Sequence, residues 1–355
     1  MKILVLGGGQ QGRVIATDLA QTLTNTHVDV ADVREPVLPV RGNLRWLEAD
    51  LADVEGLARR MSEYDLAVGA LPSRLGFGAL QAAIAAKRPI VDVSFCAEDP
   101  LALDADAKRA GIAILPDCGL APGLTHLCCG HAAMDGVPDE ITIYVGGVAQ
   151  DRTLPYGYCN TWSLDDLLEE YVRPARIVRD GVEVTLPVFA DLDRVSVPGV
   201  GEMESFLSDG LRTIIATFPG VRDMSERTLR WPGHVEQVQP LIDAGTFLET
   251  FRRECAVQPP RDLVAMMTVV KRGAQVQRAT LVDRYDAESG LTAMARTTAL
   301  TTSAVAQWVA GGGGAPGVRP LELVGGDVRA YTAITTALER HGVRVQWEWG
   351  ASVTG

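Results

Sequence analysis

Short apolar runs and apolar residues at helical spacing take turns along the first third of the chain. Residues 3–6 form an unbroken apolar run that reads as a buried strand and stops at Gly7. Ile15, Leu19 and Leu23 then recur at helical spacing, and 28–33 returns to strand. The rhythm continues with strands at 44–47, 66–68, 90–93 and 112–115 and helices at 54–61, 80–86 and 103–110. This alternation predicts an α/β fold, a Rossmann doubly wound parallel sheet whose ligands sit at the carboxyl ends of the strands. Three loops are expected at that edge, 70–74, 93–96 and 117–123.

The texture changes after 122. Pro122-Gly123 opens a helix running toward Met134, read as the bridge to a second domain. Ile141, Ile143 and Val145 alternate with polar or aromatic neighbours, 182–188 and 263–270 also favour strand, and 163–171 favours helix. The expectation is a mixed α+β domain over 123–292. A helix over 291–309, the glycine run 311–314, a helix over 331–340 and a strand at 343–349 close the chain. This tail is expected to return to the first domain, which then comprises 1–122 plus 293–355.

At 355 residues, 47% of them hydrophobic and 22% charged, the chain has room for two globular domains. The net charge is −12 with no basic block, which argues against nucleic acid or an anionic membrane as partner, because phosphate neutralisation needs clustered Lys and Arg. No apolar stretch is long enough to span a bilayer. With the first strand beginning at residue 2, no leader is expected, and the expected location is the cytoplasm. Cys96, Cys118, Cys128, Cys129, Cys159 and Cys255 form no C-x-x-C pair. They read as reduced, packed thiols, and no metal site is expected.

Chemistry enters first at the end of the first strand. Gly7, Gly9 and Gly12 fit G-x-G-x-x-G, with Gln10 and Gln11 inside the motif and a helical pattern after it. The first glycine permits the tight turn, the second lets backbone N–H groups approach a pyrophosphate, and the third lets the helix press on the strand. Asp32 lies twenty residues after Gly12 at the end of the second strand, where an acid holds the adenosine ribose hydroxyls. Its charge would repel a 2′-phosphate, so NAD is expected in preference to NADP, although Arg34 would partly accommodate one. Asp50 is either an adenine contact or a helix N-cap. Leu71, Pro72 and Ser94, in loops at the sheet's carboxyl edge, complete the expected cofactor site.

Four further segments are denser in polar residues than packing requires: 117–126, 161–176, 205–212 and 228–234. They contain W-S-x-x-D-L-x-E-E-Y-x-R-P-A-R, S-D-G-L-R and T-L-R-W-P-G-H. With the N-terminal motif, these strings resemble the saccharopine dehydrogenase-like family of amino-acid dehydrogenases, and most of all its lysine 6-dehydrogenase branch. The resemblance covers nearly the whole chain in the right order. It implies a Rossmann domain plus an α+β domain that binds substrate and often builds a homodimer or higher homo-oligomer. Saccharopine reductases carry an acid and a Cys where this chain has Ala121 and Val145. Both differences favour the lysine branch over saccharopine, while carboxynorspermidine-type reductases stay open.

A small amino-acid substrate needs a guanidinium for its α-carboxylate, and Arg173 and Arg212 are the candidates, with Arg230 third; each is otherwise a salt-bridged structural arginine. Asp117 lies where the nicotinamide is expected and is otherwise a helix cap. His234 follows a Pro-Gly turn and has the natural pKa for proton transfer, ahead of His126. Asp117, His234 and Tyr171 are thus the candidate proton-handling residues. Glu170 and Tyr171 are candidate contacts for the amino groups, and Trp162 and Trp231 either wall the pocket or fill the core. The activity implied is NAD-dependent oxidative deamination of L-lysine at its ε-amino group. The alternatives are a saccharopine- or carboxynorspermidine-type reductase and a non-catalytic NAD-binding regulator.

Overall fold

A computed structural model describes residues 1–351, which fall into two compact units. Met1–His131 and Thr298–Gly342 form the first, and Ala132–Thr297 with the segment from Val343 forms the second. The chain begins β1 (Lys2–Leu6), α1 (Gln10–Thr22), β2 (His27–Asp32), β3 (Leu44–Glu48), α2 (Val54–Met61) and β4 (Leu66–Gly69). It continues α3 (Ser73–Ala86), β5 (Ile90–Asp92), α4 (Asp104–Ala110), β6 (Ala113–Leu115) and α5 (Leu124–Ala132). The middle of the chain runs β7 (Glu140–Ala149), α6 (Leu164–Val172), β8 (Ala175–Arg179), β9 (Val182–Leu186), β10 (Asp193–Val197) and β11 (Gly201–Ser208). Next are α7 (Ile214–Thr217), β12 (Asp223–Arg230), α8 (His234–Asp243), α9 (Phe247–Glu254), β13 (Asp262–Arg272) and β14 (Gln275–Arg284). The last elements are α10 (Ala293–Ala310), β15 (Gly317–Val318), α11 (Leu321–Gly325), α12 (Val328–Glu339) and β16 (Gln346–Ala351).

In the first unit seven parallel strands run in the order β15-β6-β5-β4-β1-β2-β3. The central strands are buried on both faces, which explains their unbroken apolar runs. Leu4, Leu6, Ala67, Ile90 and Ile114 from the sheet share a core with Leu57 and Met61 of α2 and Leu80 and Ala83 of α3. The strand order reverses between β1 and β4, the switch point at which such sheets bind ligands. The expected α/β architecture is therefore present. Helix α3 begins at Ser73, a full two turns before the apolar pattern announces it, because its first half packs through Gly76 and Ala79.

The second unit is a mixed sheet along β10-β11-β12-β7-β13-β14-β16, with the β8–β9 hairpin attached to β12. Helices α6, α8 and α9 contribute Leu167, Tyr171, Val235, Val238, Phe247 and Phe251 to a core that includes Phe206 of β11. The terminal strand corrects one expectation. The segment does not join the first unit: β16 pairs antiparallel with β14, Trp347 opposite Ala279 and Gln346 opposite Thr280. An isolated strand needs an open ladder, and the outer edge of β14 supplies one, with the Trp347 and Trp349 rings stacked 5.9 Å apart along it. Residues 352–355 of the expected tail lie outside the described residues.

Candidate active site

The dinucleotide turn is built by exclusion. Gly7 has φ +97°, and a Cβ there would lie 2.5 Å from the Ala70 carbonyl oxygen; a Cβ on Gly12 would overlap the Gly7 carbonyl. A side chain at Gly12 would push α1 off the turn, and one at Gly7 would drive the turn away from the Ala70 carbonyl. Gly9 caps α1 and is open, with nothing within 4 Å of a Cβ, and no side chain satisfies the cap. The first amides of α1 therefore face an unobstructed approach, with Gln10 and Gln11 as the first two residues of the helix. The Oε1 atom of Gln11 is buried without a hydrogen-bond partner among the described residues. An anion held on backbone N–H groups fits this cradle.

Asp32 ends β2 beside that turn. Its carboxylate accepts the Gly8 N–H at 2.6 Å and the Arg34 N–H at 3.0 Å, while its carbonyl accepts the Trp46 indole N–H. The backbone thus holds the Asp32 carboxylate in place at the glycine turn. Asp50 is exposed and accepts the Ala52 N–H; the N-cap of α2 is Asp53, which accepts from Gly56. Leu71 is buried, and Pro72 is the cap residue of α3. Ser94 is buried against Asp92, donating both its N–H and its hydroxyl to that carboxyl at 3.0 Å. Asp117 follows β6 with φ +54° and is 3% exposed. Its loop is held by the Thr302 hydroxyl on the Cys118 carbonyl.

In the second unit alternation along β12 puts Glu226, Thr228 and Arg230 on one face, opposite Ser208, Phe206 and Glu204 of β11. Helix α6 lays Glu170 and Tyr171 over that row. Arg230, 2% exposed, donates Nε–H to the Tyr171 hydroxyl at 2.8 Å and a second N–H to Glu170 at 2.9 Å, and Thr228 donates to the other Glu170 oxygen at 2.6 Å. The guanidinium also faces the Tyr158 and Tyr171 rings, 5.4 Å from each centroid.

His234 closes the network. Its Nδ1 lies 2.7 Å from the Tyr156 carbonyl and its Nε2 lies 2.8 Å from the Tyr171 hydroxyl. A carbonyl only accepts, so the proton sits on Nδ1; Nε2 is then the acceptor and Tyr171 donates to it. Burial, reinforced by the Arg230 charge, lowers the His234 pKa to about 3, so the ring is neutral. Burial pushes the Tyr171 hydroxyl above its ordinary range. Glu204 fixes the ring's helix by accepting the Gly233 and Val235 N–H groups at the start of α8.

The remaining candidates sit apart from these bonds. Arg173 ends α6 and pairs with Glu169 at 3.2 Å. Arg212, 8% exposed, is held in a left-handed conformation at φ +50°, two residues after Gly210, whose Cα lies directly against the Glu226 carboxylate. Trp231 donates to the Ala149 carbonyl and carries the Arg152 guanidinium 3.7 Å above its ring. His126 faces Glu322 in the first unit at 3.5 Å. Sequence reading missed Glu226, Asp92 and the Tyr156 carbonyl. Only Glu226 left a signal, its place in the every-second-residue series with Thr228 and Arg230.

Two family models match, the saccharopine dehydrogenase NADP binding domain over residues 3–115 and the saccharopine dehydrogenase C-terminal domain over 119–343. The chain belongs to the saccharopine dehydrogenase family. Its relatives include the saccharopine dehydrogenase [NADP(+), L-glutamate-forming] of Pyricularia oryzae, 27% identical over 219 residues, covering 56% of this chain and 47% of that protein. The Saccharomyces cerevisiae enzyme of the same name is 24% identical over 263 residues, 68% of this chain and 58% of that one. The chain thus matches about half the length of these curated relatives. The fold matches that of apo saccharopine dehydrogenase (L-Glu forming) from Saccharomyces cerevisiae, with TM-score 0.77, 18% identity, and coverage of 99% of this chain and 100% of that one. Among the described residues of this saccharopine dehydrogenase family member, no helix is long and apolar enough to cross a membrane, and no group of three or more His, Cys, Asp or Glu could hold a metal. All six cysteines are buried, and none is in a disulfide.

Proposed function

We propose that the chain is an NAD-dependent dehydrogenase that oxidises the ε-carbon of L-lysine. The carrying observation is the Asp32 carboxylate held at the glycine turn by Gly8 and Arg34, a fixed negative charge where a 2′-phosphate would have to sit. Balanced for the ammonium form, lysine, NAD+ and water give 2-aminoadipate 6-semialdehyde, NADH, ammonium and a proton. The cofactor, when bound, supplies the hydride acceptor. The protein supplies orientation. Arg212 is assigned the α-carboxylate, as a buried guanidinium in a strained backbone setting beside a glycine. Ala121 and Val145 offer no polar group to a larger, multiply charged substrate; Val145 lies on β7 directly opposite Thr228.

The three proton-handling candidates take different roles. Both nitrogens of His234 are engaged and Tyr171 already donates to it, so these two hold the Arg230–Glu170 row in place. Asp117, at the carboxyl edge of the parallel sheet, is the proposed acceptor from the amine. A homodimer or higher homo-oligomer is part of the proposal, checked by light scattering. A second reading is saccharopine-type chemistry with NADP, favoured by the names of the relatives. One experiment separates the two: NADH formation from L-lysine, with the product trapped by 2-aminobenzaldehyde. A coloured adduct of the cyclic imine supports ε-oxidation. NADH without adduct means α-chemistry, and oxidation of saccharopine but not lysine selects the second reading.

A further inference from the structure

Asp92 is the last residue of β5, in register with Gly69 of β4, and its carboxyl lies so close over Gly69 that a Cβ there would overlap Oδ1. It is 0% exposed and anchored by the two donors of Ser94, which is itself packed under Gly76 of α3. A second acid, Asp117, sits in the next loop of the same edge, and Cys118 donates its N–H to the Asp92 carbonyl. The titratable groups acting with it are Asp117 and the Cys118 thiol; neither is a cation. When the adenosine half lies over β1–β3, this β4–β5–β6 edge receives the nicotinamide half. The oxidised ring carries a positive charge and the reduced ring none.

We propose that the Asp92 carboxyl is a proton site coupled to the charge of the nicotinamide ring, giving up its proton when the oxidised cofactor binds and keeping it when the reduced cofactor binds. The inference rests on the nicotinamide reading above. Burial pushes Asp92 up to about 7; the Ser94 hydroxyl opposes this and the Asp117 charge adds to it. Near neutrality the acid is therefore divided between its two forms, and a cation arriving in a water-poor site tips it to the carboxylate. Linkage then requires NAD+ affinity to fall about tenfold from pH 8 to pH 6, while NADH affinity stays level. The effect discriminates oxidised from reduced cofactor without any contact to the ring.

The test is calorimetric titration of the whole protein with NAD+ and with NADH at pH 7, each in two buffers of different ionisation enthalpy, which counts protons. A proton fraction released by NAD+ alone, abolished in Asp92→Asn, is the expected result. Equal release by both cofactors, or release that survives in Asp92→Asn, overturns it. If Asp92→Asn does not fold, Ser94→Ala decides: losing one donor to the carboxylate should move maximal release to higher pH, and an unmoved maximum counts against Asp92. Binding of neither nucleotide would instead overturn the cofactor reading itself.

Discussion

Asp32 ties down Gly8 with one carboxylate oxygen, and in the proposed reading the same carboxylate presents charge to a ribose. Asp32→Ala should weaken NAD binding roughly ten- to a hundredfold, since a charge-assisted bond contributes about 1.5–3 kcal/mol, and should narrow the gap to NADP. Equal affinity of the unmodified protein for both cofactors would remove the assignment. Tyr171 is the other decisive single residue, because it is both acceptor for Arg230 and donor to His234. Tyr171→Phe leaves two buried polar groups unpaired, an expected loss of about 2–4 kcal/mol in urea unfolding. A loss below about 1 kcal/mol would mean that water or another side chain satisfies both. Asp32 was legible because the offset from the glycine motif is fixed by the length of one helix and one strand. The partners of His234 were not, since they come from 63 and 78 residues away.

At the scale of elements, the parallel strands were legible and the mixed-sheet strands largely were not. Buried on both faces, β1 after Lys2, β4, and β5 up to Asp92 are apolar runs. β12 buries Glu226, Arg227, Thr228 and Arg230, so its sequence resembles a loop until its partners on β11 and α6 are known. Helix α10 shows a similar long-range dependence. Its first amides, Ala293 and Met294, donate to Asp262 of β13 at 2.7 and 2.9 Å, a cap supplied from another strand. Burial raises Asp262 to about 6 despite those donors. The folded state therefore holds a proton between about pH 4 and 6 that the unfolded chain has lost, and stability falls as pH rises through that window. Asp262→Asn should lack this slope. Measured by denaturant titration, the native chain should gain on the variant by roughly 2–3 kcal/mol between pH 7 and pH 4, because each tenfold gain in proton affinity on folding is equivalent to about 1.4 kcal/mol. A constant difference would show that Asp262 does not titrate in the window.

At the scale of the whole chain, the two parts of the proposed chemistry respond to pH for different reasons, and this makes them separable. The parallel-sheet unit carries Asp92, which burial pushes up to about 7. The mixed-sheet unit carries a network that is charge-fixed across the working range, with His234 neutral and Arg230 held more strongly cationic than usual by its Tyr171, Glu170 and Tyr158 neighbours, against the opposing effect of burial. Its contribution to orientation should not change between pH 6 and 10. What changes over that span is the substrate: the ε-ammonium of lysine loses its proton near pH 10.4, and only the neutral amine can release hydride from its carbon. Steady-state kinetics should therefore show two steps. The Michaelis constant for NAD should fall between pH 6 and 8 and then level, and kcat/KM for lysine should climb toward pH 10. Asp92→Asn should erase the first step and spare the second. A lysine profile that instead peaks near neutrality would place the limiting ionisation on the protein and overturn control by the free amine.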